Sequence, residues 1–88
     1  MQVEKIQEPL PLDMLRDGEE ACIVEVTGCP LRVHQLAEMG MHRGCKVQMI
    51  RPGQPCMLAV DGRRFSLRLD PDTCILVNPT NDQQAGQV

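Results

Sequence analysis

Soft-ligand and nucleophile chemistry in this chain of 88 residues rests on five cysteines (Cys22, Cys29, Cys45, Cys56 and Cys74) and two histidines. Four of these residues fall within one stretch: Cys29, His34, His42 and Cys45. His42 and Cys45 are three positions apart, close enough to share an ion. Thiolate and imidazole together select zinc or a late transition metal over a hard cation. The pattern argues against a built site, however. There is no CxxC pair, and the spacings fit no zinc-finger class. The odd cysteine count and the lack of a secretory context argue against a disulfide framework. The expectation is therefore no bound metal and no cofactor, with most cysteines serving as buried, reduced, small apolar residues. A Cys/His metal- or redox-sensing module is the alternative.

Other catalytic chemistry has no foothold. No Ser-His-Asp arrangement, phosphate-cradling glycine loop or paired carboxylate set emerges. Glu19 and Glu20 are adjacent, so in a strand they point to opposite faces. No enzyme is expected. Net charge is −3, and Phe65 is the sole aromatic residue. Nucleic-acid binding, which needs clustered cations and stacking platforms, is disfavoured on both counts. No apolar run approaches the ~20 residues that cross a bilayer, and the first residues lack the basic-then-apolar pattern of a secretory signal. The expectation is a soluble cytoplasmic protein without membrane insertion.

The elements that would position these residues are short. Residues 1–11 read as a flexible N-terminal arm, since Pro9 and Pro11 bracket Leu10 and forbid a regular element. Residues 12–78 read as one folded domain and 79–88 as a disordered tail. Asp13 to Arg16 forms one helical turn with Leu12 and Leu15 inward. Glu20 to Val26 alternates as a strand, with Ala21, Ile23 and Glu25 on one face. Pro30 suits the first position of a helix. Over Leu31 to Met39 the residues Val33, Leu36, Ala37 and Gly40 share one face, while Arg32, Gln35 and Glu38 face water. Gly40 ends the helix.

Strands follow over Lys46 to Arg51, with Val47, Met49 and Arg51 on one side, and over Cys56 to Val60. Asp61-Gly62 is a two-residue hairpin turn. Arg64 to Leu69 and Thr73 to Val77 complete the set. The fold class is mainly β: a small five-stranded barrel with one short helix after the first strand. So many apolar residues are committed to its core that little room is left for a deep pocket of ~300 Å³ or more.

Four segments in this order resemble the FeoA family, small SH3-like barrels associated with the ferrous iron transporter FeoB. They are Leu12-Asp-Met-Leu-Arg-Asp-Gly18 with the strand from Ala21; Leu36-Ala-Glu-Met-Gly-Met-His-Arg-Gly44; the strand from Val47; and Val60-Asp-Gly-Arg-Arg-Phe-Ser-Leu-Arg68 with Cys74-Ile-Leu-Val77. Two departures stand out: a shortened loop, Pro52-Gly-Gln-Pro55, and the five cysteines.

The resemblance implies an SH3-like barrel and a cytosolic accessory or adaptor that binds and modulates the transporter, and it leaves room for a homodimer. Leu36, Gly40, Gly44, Gly62 and Leu67 carry the structural signature: the glycines set backbone geometry and the leucines fill the core. Met39 and Met41 flank Gly40 at the helix end; at least one is expected in the core, and an exposed one would mark the patch where a transporter segment docks. Arg68, alternating outward beside Leu67, is a further candidate contact.

Overall fold

The computed structural model describes residues 8–80. Six strands form one antiparallel sheet: β1 (Leu10–Pro11), β2 (Glu20–Thr27), β3 (Lys46–Arg51), β4 (Cys56–Val60), β5 (Arg63–Leu67) and β6 (Cys74–Pro79). A 3-10 turn spans Leu12–Met14, and one helix, α1 (Pro30–Glu38), follows β2. The order across the sheet is β1-β6-β2-β3-β4-β5. The mainly β, SH3-like architecture with one short helix is as expected. The sheet gains a sixth strand, and its edges, β1 and β5, do not pair with each other.

That sixth strand lies where the prolines were expected to forbid regular structure. Leu10 and Pro11 pair with Val77 and Leu76. Proline is admitted because β1 is an edge strand, where a missing N–H leaves no interior ladder bond unmade. At the other terminus β6 runs through Pro79, and the Thr80 amide donates to the Glu20 carbonyl at 2.9 Å. Pro79, placed in the tail by sequence, therefore belongs to the sheet, and Thr80 is tied to it by that bond.

Two bulges explain where simple alternation fails. Between Ile23 and Glu25 the β2–β6 register shifts, so Glu25 stays exposed and Val26 packs against the core. Between Met49 and Arg51 the β3–β4 register shifts. Arg51, assigned by alternation to the core side with Val47 and Met49, is exposed. A bulge absorbs one residue without flipping the rest of the strand.

The core runs from Leu12 and Leu15 through Ala21, Ile23, Val47, Met49, Leu58 and Val77, each at most 2% exposed. Leu36 is the one fully buried side chain of α1. Val33 and Ala37, expected beside it, are only half-buried. Burying a leucine contributes about 1.5–3 kcal/mol, so the helix hangs largely on one anchor. Its C-terminus closes in a Schellman arrangement: the Met41 amide donates to Leu36 O at 2.9 Å and the Gly40 amide to Ala37 O at 3.0 Å. Gly40 has φ +94, the left-handed value that glycine adopts without penalty. The chain thereby reverses and drives Met41 into the core.

Candidate functional site

The turn after α1 assembles one pair from the expected Cys/His set. The Cys45 amide donates to His42 O at 3.0 Å, closing a tight turn. Hydrogen bonds to β2 fix that turn: the Gly44 amide donates to Ile23 O and the Ile23 amide to Cys45 O, both at 2.8 Å. This backbone frame brings the two side chains together. Cys45 Sγ lies 3.2 Å from His42 Nε2 and 3.3 Å from Nδ1. Near-equal distances to both nitrogens place the sulfur over the ring face rather than along either lone pair. An ion held by both groups in tetrahedral geometry would need a sulfur–nitrogen separation of about 3.5 Å and an in-plane nitrogen. His42 is exposed, and its Nδ1 also lies 3.3 Å from the Arg43 carbonyl oxygen.

The other two candidates lie apart. Cys29 is the exposed N-cap of α1 and makes no side-chain capping bond. His34 Nε2 lies 3.1 Å from Glu38 Oε2 one turn along, with both side chains about two-thirds exposed, 69% and 67%. Among the described residues, no three His, Cys, Asp or Glu side chains converge as a metal site would require.

The cysteines also differ from expectation. Only Cys56 is fully buried; Cys22 and Cys45 are half-buried, and Cys29 and Cys74 are exposed. Burial pushes the Cys56 thiol above its ordinary value of 9.0, and the charge of Asp13 adds to the rise against a lowering backbone hydrogen bond.

The docking candidates divide. Met41 is 0% exposed and part of the core; it presents nothing to a partner. Met39 is half-buried against the core. Arg68 is exposed, and its carbonyl accepts a bond from Arg32 Nη2 at 3.1 Å. Arg32 was expected to face water; instead it is half-buried and ties the helix to the end of β5. Leu36 and Leu67 are buried, and Gly40, Gly44 and Gly62 all have positive φ.

A second feature went unread. The outer face of β3, β4 and β5 holds an open cleft of about 580 Å³, lined by Ile50, Arg51, Met57, Arg64, Phe65 and Ser66. Another, of about 500 Å³, lies beside His42 and Cys45. Both are open to solvent and are distinct from the deep pocket considered from the sequence. The first lies at the β3 bulge, where the register shifts between Met49 and Arg51. The signal for the first was present in the misfit of Arg51 to the alternation of its strand.

The FeoA domain family matches residues 10–79. A search of curated proteins finds no match. Three solved structures share the fold. A FeoA protein from Chlorobium tepidum is 26% identical, with TM-score 0.72, over 81% of this chain and 70% of that one. A FeoA-like protein from Clostridium acetobutylicum is 19% identical, with TM-score 0.69, over 85% and 91%. IdeR of T. acidophilum is 22% identical, with TM-score 0.74, over 89% of this chain and 37% of that one.

Proposed function

We propose, on the premise that this chain belongs to the FeoA domain family, that it is a non-catalytic accessory of ferrous iron uptake which binds the cytosolic region of a FeoB-type transporter and modulates transport. The carrying observation is the family match over residues 10–79, which spans every described strand and the helix. Membership of the family implies a role in ferrous iron uptake; the adaptor role and the partner are the further step. A cytoplasmic location goes with that reading, and no described helix is long and apolar enough to cross a membrane. Ferrous iron uptake measured in cells that keep the transporter but lack this chain tests the role. Uptake should change markedly and return when the chain is supplied again; unchanged uptake would refute it.

A second reading, a metal- or redox-sensing module, draws on the contact between His42 and Cys45. Metal titration of the reduced protein separates the two. Stoichiometric zinc binding lost in His42→Ala would favour the sensor, while an adaptor shows no such dependence.

A further inference from the structure

We infer that the outer face of β3, β4 and β5 docks an extended acidic segment of a protein partner, which adds as a further strand to the free edge of β5. This rests on the reading that the chain works by binding a protein, and it names the surface and the chemistry.

The charge distribution comes first. Residues 43–68 hold six of the nine Lys and Arg but one of the twelve Asp and Glu. An acidic protein thus carries one basic segment. On its outer face Arg51 and Arg64 line a cleft with an apolar floor of Ile50 and Met57, while Phe65, paired with buried Leu58, packs its side chain against the core beneath. Neither arginine has an ion-pair partner among the described residues. The β3 bulge sets both Ile50 and Arg51 opposite Met57, and Met57 pairs onward with Ser66. Re-aiming a side chain in this way is a common use of a bulge.

The backbone supplies the second element. Asp61-Gly62 is a two-residue turn with φ of 55° and 79°, so Val60 and Arg63 form the hydrogen-bonded closing pair. Alternation then turns the amides and carbonyls of Arg63, Phe65 and Leu67 toward β4 and those of Arg64 and Ser66 outward. The next outward carbonyl, that of Arg68, is already taken by Arg32. Among the described residues no backbone group pairs with Arg64 or Ser66 on that side. Main-chain bonds to a sheet edge provide affinity, and alternate side chains provide selection. Here the selection is for carboxylates against Arg51 and Arg64, with apolar residues between them on the cleft floor. A second copy pairing edge to edge through both outward residues would set Arg64 opposite Ser66, leaving the arginines without the carboxylates that an acidic strand brings.

The test is amide hydrogen exchange and chemical shift, followed by NMR on the isotope-labelled full chain. The added probes are an alternating Glu/Val peptide of about eight residues, its Lys/Val counterpart, a single-stranded oligonucleotide, and the cytosolic region of the transporter. Protection of the Arg64 and Ser66 amides by the acidic peptide and the transporter region is expected, with the Lys/Val peptide inert. The double variant Arg51→Glu, Arg64→Glu, altered only at exposed positions, should bind the acidic peptide about tenfold more weakly or worse and lose salt sensitivity.

If the transporter region binds and perturbs other residues, the docking face is refuted while the proposed function stands. If it fails to bind while the acidic peptide still protects Arg64 and Ser66, the face stands and the transporter reading falls. Absence of protection by both probes overturns the inference. So does equal response to the Lys/Val peptide or the oligonucleotide, or protection that rises with protein concentration alone.

Discussion

Arg32, near the start of α1, donates from Nη2 to the carbonyl of Arg68 at the end of β5, 3.1 Å away and 36 residues on in the chain. Its Nε has no hydrogen-bond acceptor and lies 3.8 Å from Asp70 Oδ2. With Leu36 as the only fully buried side chain of the helix, this bond is the second tie that holds α1 to the sheet. Arg32→Gln should therefore cost about 1 kcal/mol in urea denaturation. Asp70→Asn should stay within about 0.5 kcal/mol, because both ionic side chains are substantially exposed and the pair is long. Equal losses from the two variants would show that the ion pair, not the carbonyl bond, matters.

Gly40→Ala should destabilise the protein by more than about 1 kcal/mol. The backbone there has φ +94, and a Cβ would meet Val60 Cγ1 at 3.1 Å. The strain and the crowding act together, and denaturant midpoints measure their sum. A neutral Gly40→Ala would mean that the helix terminus adopts another conformation in solution.

Met41→Glu should fail to fold. Met41 is fully buried, no described charged side chain is buried, and an unpaired carboxylate in such a core costs several kcal/mol. Circular dichroism and thermal melting decide it. A cooperatively folded Met41→Glu would return this residue to the surface and to the list of docking candidates.

Cys56 should resist alkylation in the native protein while Cys29 and Cys74 react, as followed by mass spectrometry after brief maleimide treatment. Its Sγ donates to Leu67 O at 3.5 Å, and burial raises its pKa above 9.0. The folded state therefore holds the proton to higher pH than the unfolded chain does. The stabilisation is full below 9.0 and declines as pH climbs through the raised native value. The stability gap between wild type and Cys56→Ala should narrow as pH rises above 9.0. A gap that stays constant or widens would contradict the assignment.

Much of this architecture could be read from short-range signals. Pro30 at the helix start, Gly40 at its end and Asp61-Gly62 in the hairpin each demand a particular backbone shape, and each sits where that shape is found. Alternation located the inward Ala21 and Ile23 of β2 and Val47 and Met49 of β3. It misplaced Arg51 and Glu25, because a bulge depends on the partner strand rather than on the residue itself. The strand at Leu10–Pro11 was hidden for the same reason: its existence depends on β6, more than 60 residues on.

The candidate sites were harder to read. The proximity of His42 and Cys45 followed from spacing, but whether Cys29 and His34 joined them depended on the direction of a helix. The burial of Met41 depended on the chain reversal at Gly40. The arginine-lined cleft needed three strands in register before Arg51 and Arg64 could share it.

The most direct measurement is calorimetric titration of the purified cytosolic region of the FeoB-type transporter into the full chain, at low and then at physiological salt. Saturable one-to-one binding at micromolar concentration, weaker at the higher salt, is the result expected of an adaptor that uses a basic face. No heat of binding up to high micromolar concentration in either buffer, with both proteins shown to be folded, would contradict it.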